Sequence, residues 1–174
     1  MILPAQFTEI PPEKPCFLAN LGVDYTRAGY NTAMSEGAIA DRLGIKSGDL
    51  IQEIGVDSDV DQALRQAIMA ASGEDLLDAS ANEVVDAVLL WFRDGDGDLV
   101  DEIVDGLTFL SEAGVLWILT PKVGREGHVE PSDIQDAAPT AGLAQTSSFA
   151  VGADWIATKL TTRFGNSAQK GNRK

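Results

Sequence analysis

Asp86-Ala87-Val88-Leu89-Leu90-Trp91-Phe92 is the stretch that decides the fold. After its leading aspartate the segment is apolar without a break. That suits a strand buried on both faces, in a sheet with helices on either side. A second such run, Val115-Leu116-Trp117-Ile118-Leu119, is stopped by Thr120-Pro121. Between the two, Leu99, Ile103, Leu107 and Leu110 recur at helical spacing, with Asp98, Asp101, Glu102 and Asp105 on the other face and Gly114 after the end. Working outward, Leu50-Ile51-Gln52-Glu53-Ile54 reads as a first strand closed by Gly55. Val60, Leu64, Ala67, Ile68 and Ala71 then mark one face of a helix capped by an aspartate and ended by Gly73. Residues 74–82 are polar and fit no single element. Downstream, Ser132 is expected to cap a short helix through Ala138. Residues 143–151 and 155–163 then form an antiparallel hairpin about Gly152-Ala153-Asp154. The expected fold is α/β and three-layered: a Rossmann-like, mostly parallel five-stranded sheet with a C-terminal antiparallel hairpin.

A chain of 174 residues with 44% apolar content suits one such core. The expected organisation is a disordered or loosely packed leader over residues 1–33, with Pro4, Pro11, Pro12 and Pro15, then a single α/β domain over 34–164 and a basic disordered tail over 165–174. Translation starting at Met34 would remove the leader. No apolar run approaches the roughly 18 residues of a bilayer span, and residues 1–14 lack the apolar core of a secretory signal. The compartment expected is the cytoplasm.

Charge narrows the partners. The net charge is -14, and residues 35–136 hold 23 acids against 6 bases, while Lys159, Arg163, Lys170, Arg173 and Lys174 stand in an acid-free C-terminal stretch. A body this acidic repels phosphate backbones, which argues against duplex nucleic acid and for another protein as partner. One cysteine (Cys16) and one histidine (His128) exclude an internal disulfide, a CxxC redox pair and a Cys/His zinc site.

The element order, with its terminal hairpin, resembles the later part of a Rossmann-like methyltransferase. That resemblance implies a glycine-rich turn after the first strand, where backbone approaches the cofactor. Here the turn is Glu53-Ile54-Gly55-Val56-Asp57-Ser58-Asp59, with one glycine, and the two strands that normally follow are missing. The resemblance is therefore to a truncated sheet, and S-adenosylmethionine is not expected as a cofactor. A second resemblance covers residues 34–163. Leu-Gly-Ile-Lys-Ser-Gly at 43–48, Asp-Ala-Val-Leu-Leu-Trp at 86–91, Leu-Trp-Ile-Leu-Thr-Pro-Lys at 116–122 and Gly-His-Val-Glu-Pro-Ser-Asp-Ile at 127–134 are similar to an uncharacterised actinobacterial family. That resemblance implies a small cytosolic protein and supplies no catalytic residues.

Asp94, Asp96, Asp98, Asp101, Glu102 and Asp105 put six carboxylates in twelve residues with no base among them. Asp94, Asp96 and Asp98 match the first ligand positions of a calcium loop and are the candidate metal ligands. Leu99 stands where that loop needs glycine, and Asp105 where it needs glutamate. The thiamine diphosphate pattern fails because no asparagine lies between Asn82 and Asn166. In an open α/β sheet, ligands sit beyond the carboxyl ends of the strands, which makes Asp57, Asp94, Asp96, Asp98, Lys122, Arg125 and His128 the candidate ligand-binding set. Asp101, Glu102 and Asp105 are the candidate partner-binding set. No residue is assigned a catalytic role, since neither a nucleophile elbow nor a triad is present. The expectation is a non-catalytic interaction or regulatory protein on a degenerate scaffold. The alternative is a small-molecule or divalent-metal binding protein or enzyme using the 94–98 and 122–128 loops.

Overall fold

The computed structural model describes residues 36–162. The leader, Cys16, the Met34 start and the basic tail lie outside the described residues. The elements run α1 (Glu36–Leu43), β1 (Ile51–Ile54), α2 (Gln62–Ser72), β2 (Val85–Trp91), α3 (Leu99–Leu107), β3 (Leu110–Pro121), α4 (Pro131–Thr140), β4 (Leu143–Val151) and β5 (Trp155–Thr162).

One five-stranded sheet has the order β1-β2-β3-β5-β4. Its apolar strands are buried on both faces, so alternate residues feed two cores. Ala87, Leu89, Trp91, Trp117 and Leu119 pack with Leu43, Leu64 and Ile68 from α1 and α2. Val88, Leu90, Leu116, Ile118 and Leu160 pack with Ile103, Ile134 and Ala138 from α3 and α4. The fold is thus mixed α/β with helices on both faces of the sheet.

The expectation of a mostly parallel sheet is corrected. β1–β2 and β2–β3 pair in parallel, but β3–β5 and β4–β5 are antiparallel, so half the pairings are of each kind. The cause is the return strand of the hairpin. β5 inserts between β3 and β4 and runs against both.

Three local readings also change. Leu110 is the first residue of β3 and not the last of α3. Its pairing with Val85, together with the Val85 amide donating to the Phe109 carbonyl at 2.9 Å, pulls the chain into the sheet before the helical spacing is used up. Gly114 consequently lies inside β3, with space for a Cβ taken by Leu110 Cδ1 at 2.5 Å. The fourth helix starts at Pro131 with Glu130 as its capping position, so Ser132 is an internal first-turn residue. The polar 74–82 segment closes the β1 edge. The Glu53 amide donates to the Leu77 carbonyl at 2.8 Å, the Leu77 amide donates to the Ile51 carbonyl at 2.9 Å, and Gln52 Nε2 donates to the Asp78 and Ala81 carbonyls.

Candidate functional site

At the carboxyl edge of the sheet, β1 and β2 end side by side. Gly55 turns the chain at φ +71°, and a Cβ there would stand 2.2 Å from the Trp91 carbonyl oxygen, so the two strand ends touch backbone to backbone. The loop after β1 leads to Asp61, whose carboxylate accepts the Leu64 amide at 3.0 Å and caps α2. The hairpin turn closes over that cap. A Cβ on Gly152 would stand 1.9 Å from Asp61 Oδ2.

The loop after β2 opens with Arg93, which the sequence reading passed over. Its guanidinium donates through Nε to Asp59 Oδ2 at 2.8 Å, pairs through Nη2 with Asp59 Oδ1, and donates through Nη1 to the Gly55 carbonyl at 3.0 Å. Nη1 also reaches Asp96 Oδ2 at 3.4 Å, and the Arg93 amide donates to the same carboxylate at 2.9 Å. The guanidinium lies 5.2 Å from the ring centre of Trp155. One side chain thereby ties the β1 loop to the β2 loop. The hydrogen bond and charge of Arg93 hold the Asp59 carboxyl below the usual aspartate range.

Around this latch lies an open cleft of about 540 Å³. Asp57, Asp94, Asp96 and Arg125 from the candidate ligand set line it, joined by Asp59, Arg93, Glu126, Asp154 and Trp155. The other three candidates do other work. Asp98 caps α3, accepting the Val100 amide at 2.8 Å and the Asp101 amide at 3.4 Å. Lys122 Nζ donates to the Gly152 and Ala153 carbonyls at 3.1 and 2.7 Å and fastens the hairpin turn. His128 Nδ1 lies 2.9 Å from the Pro121 carbonyl, and its Nε2 lies 3.8 Å from Glu130, away from the cleft lining. Among the described residues, no group of three or more His, Cys, Asp or Glu side chains is placed to hold a metal ion. Asp94, Asp96 and Asp98 therefore make a turn and a helix cap and do not converge.

Asp101 and Asp105 are exposed on α3, while Glu102 is half-buried and lines a smaller crevice beside Arg93. Burial first, then the charges of Asp105, Asp96 and Asp101, push the Glu102 carboxyl above its usual value. In the main cleft both arginines are already paired, Arg93 with Asp59 and Asp96, and Arg125 with Asp154. Asp57, Asp94 and Glu126 leave a surplus of negative charge, which favours cations and repels phosphate or carboxylate groups. No hydroxyl, thiol, imidazole or amine lines this cleft, whose titratable groups are carboxylates and the two arginines.

The fold defines the class first. Among solved structures, the fold is similar to methyltransferase-like Rossmann folds. The pyocyanin biosynthetic protein PhzM superposes with a TM-score of 0.54 at 14% identity, covering 73% of this chain and 54% of its own. The O-methyltransferase NcsB1 from neocarzinostatin biosynthesis, solved with S-adenosyl-L-homocysteine and 1,4-dihydroxy-2-naphthoic acid, gives 0.54 at 13% identity, covering 74% and 52%. The chain spans about half the length of these proteins, and at such identity the likeness is one of fold. By sequence, the chain belongs to the family described as "Protein of unknown function (DUF3052)", whose model matches residues 40–164. Uncharacterised proteins from Mycobacterium tuberculosis strain H37Rv and Mycobacterium bovis are each 54% identical over 121 residues, 70% of this chain and 76% of theirs.

The residues beyond β1 do not fit the cofactor of that fold class. In the G-x-G-x-x-G pattern the second glycine lets backbone approach the ligand; counting from Gly55, that position is Asp57. The α2 N-terminus has the Leu64 amide taken by Asp61 and the cap covered by Gly152. Arg93 and Asp59 join the two loops between which a ligand would enter.

Proposed function

We propose that this is a non-catalytic interaction protein on a degenerate, Rossmann-like methyltransferase-type scaffold, and that its acidic rim and the outward face of α3 dock a basic segment of another protein. The observation that carries the reading is the Arg93 latch: the protein's own ion pair ties together the two loops at the edge where a cofactor would enter. Asp101, Glu102 and Asp105 are the docking residues in this reading. It is supported by the exposure of Asp101 and Asp105, with Glu102 half-buried between them, beside a cleft that already carries surplus negative charge. Steering of a basic partner by such a field is strong at low salt and fades within a Debye length of about 8 Å at physiological ionic strength. The same charge disfavours duplex DNA. Among the described residues no helix is long and apolar enough to cross a membrane, and the compartment that goes with this reading is the cytoplasm.

Two measurements test it together. Thermal-shift titrations with S-adenosylmethionine, nucleotides, Mg²⁺ and Ca²⁺ are expected to leave the melting temperature unchanged, because a ligand stabilises only what it occupies. Capture of a defined basic partner is expected to be lost on charge reversal of Asp101, Glu102 and Asp105 to lysine. A saturable shift with any of the small ligands overturns the reading in favour of a binding protein or enzyme. A second reading has one observation behind it: the cleft is open, and its unpaired Asp57, Asp94 and Glu126 suit a small organic cation. A shift with a polyamine, abolished by Asp94→Asn, would select it.

A further inference from the structure

An aspartate followed by glycine can react with its own main chain under mild conditions. The glycine amide nitrogen attacks the aspartate Cγ and closes a five-membered imide. Glycine favours this step because no Cβ blocks the approach and the backbone turns freely. Water then reopens the ring at either carbonyl. One opening restores aspartate, and the other gives isoaspartate, whose main chain runs through Cβ and Cγ.

Three such steps occur in the chain: Asp94-Gly95, Asp96-Gly97 and Asp105-Gly106. The fold gives each a different environment. Asp105-Gly106 lies within α3, where Gly106 is buried and a Cβ on it would stand 3.0 Å from Leu116 Cδ1. The Gly106 amide belongs to the helix ladder, so closing the ring would have to unwind that turn. Asp96-Gly97 is exposed, but the Asp96 carboxylate is held. Its Oδ2 accepts from the Arg93 amide at 2.9 Å and from Arg93 Nη1 at 3.4 Å. Asp94-Gly95 has neither restraint. Both residues are exposed, and among the described residues the Asp94 carboxylate has no hydrogen bond or ion pair and the Gly95 amide has no acceptor. Nothing stands within 4 Å of where a Gly95 Cβ would be.

We propose that Asp94 is a site of spontaneous covalent modification, where the folded chain converts aspartate to isoaspartate through an imide with Gly95 while Asp96 and Asp105 are protected. The bond between Gly95 N and Asp94 Cγ forms as a Cγ–O bond breaks. The departing hydroxyl leaves with the amide proton as water, and one water returns when the ring opens, so no other reactant is consumed. What decides the site is the freedom of one Asp-Gly step, and not the number of acids around it. The product carries one extra main-chain carbon inside the turn that the Asp96 amide closes on the Arg93 carbonyl at 3.0 Å, at the rim of the cleft. This chemistry stands whether or not that rim docks a partner.

The test is incubation of the full folded chain at physiological temperature in water enriched in heavy oxygen, followed by digestion and fragment mass spectrometry. Each ring opening leaves one heavy oxygen at the residue that reacted, and fragmentation distinguishes isoaspartate from aspartate. In the folded chain Asp94 should take up label about tenfold faster than Asp96, the factor expected where charge-assisted hydrogen bonds must first be broken, and Asp105 should be slower still. In denaturant the three rates should converge, which serves as a control independent of any variant. Asp94→Glu, whose longer side chain cannot close the five-membered ring, should lose the label at this position and keep the wild-type melting curve. Uptake at Asp94 no faster than at Asp96 or Asp105 in the folded chain overturns the proposal, as does label at position 94 that survives Asp94→Glu.

Discussion

Two arginine–carboxylate clusters sit a few residues apart at the carboxyl edge of the sheet, and they differ in one respect. In the first, Arg65 on α2 donates through Nε to both oxygens of Glu53 at 3.1 and 2.9 Å and pairs through Nη2 at 2.8 Å. Trp91 Nε1 donates to the same carboxylate at 3.1 Å. In the second, Arg93 makes the same two-pronged contact with Asp59 and lies against Trp155. The Glu53 side chain is 3% exposed and that of Asp59 is 50% exposed. Trp91 and Trp155 meet edge to face at 4.8 Å, so the clusters share a wall. The same chemistry is therefore an obligatory part of the core in one place and a solvent-screened latch in the other, because the cost of breaking an ion pair depends on what is left behind out of water.

The largest effect should come from breaking the buried cluster. Arg65→Ala strands the Glu53 carboxylate among apolar neighbours and is expected to cost about 3 kcal/mol. This is the low end for a buried pair, because Arg65 is itself 27% exposed and water can replace part of it. Denaturant unfolding with an unchanged slope measures it. A loss no larger than that of Arg93→Ala would erase the distinction between the two clusters.

Gly55 joins them, and Gly55→Ala comes next. The added Cβ meets the Trp91 carbonyl, and φ is +71°. Gly44→Ala is the control, with φ +77° and nothing within 4 Å of the new atom. We expect about 1 kcal/mol for the control from conformation alone and about 1 kcal/mol more at Gly55 from the displaced strand end. Equal melting temperatures for the two variants would show that β1 and β2 are not held in contact there.

Arg93→Gln should cost about 1 kcal/mol at low salt and less in high salt, since Asp59 remains half in water. The pH dependence has a definite sign. Arg93 lowers the folded-state pKa of Asp59 below its unfolded value. Its contribution is therefore fully present above the ordinary aspartate range and is lost as pH falls through the depressed value. Wild type and variant should differ at neutral pH and converge in acid. A difference that persists in acid would mean Arg93 acts by packing on Trp155 and not through charge.

How much of this was legible beforehand follows from what each residue can signal. The apolar runs of β2 and β3, the Gly73 end of α2 and the 152–154 turn are local patterns, and each lies where its pattern places it, whereas the aspartate cap of α2 falls at Asp61, after Val60. The gathering of the 57, 94 and 125 loops at one edge followed from strand direction alone. Arg93 had no such signal, because an arginine after a strand looks the same whether it faces solvent or bridges two loops. Asp98 carried a misleading one. A carboxylate two residues beyond Asp96 fits a cation loop by spacing, and only the position of the α3 amides shows that it caps a helix. The mixed sheet was hidden for a related reason: a hairpin can add to an edge by either strand, and the choice of β5 rests on pairing with residues forty positions away.

The smallest effect tests whether the rim tolerates its own charge. Glu102 lies in the first turn of α3, where the helix dipole favours the carboxylate, yet burial and the charges of Asp105, Asp96 and Asp101 raise its pKa. Because the folded state then holds the proton more tightly than the unfolded one, stability falls as pH rises through the window between the ordinary glutamate value and the raised one. Glu102→Gln removes that loss. It should be slightly more stable than wild type at neutral pH, by less than about 0.5 kcal/mol after solvent screening, and indistinguishable from it below the ordinary glutamate range. Paired melting curves at the two pH values decide it. A variant less stable at neutral pH would mean the dipole outweighs the repulsion. The expected gain would mean that α3 keeps an acid at a cost to its own fold, as a surface held for a basic partner does.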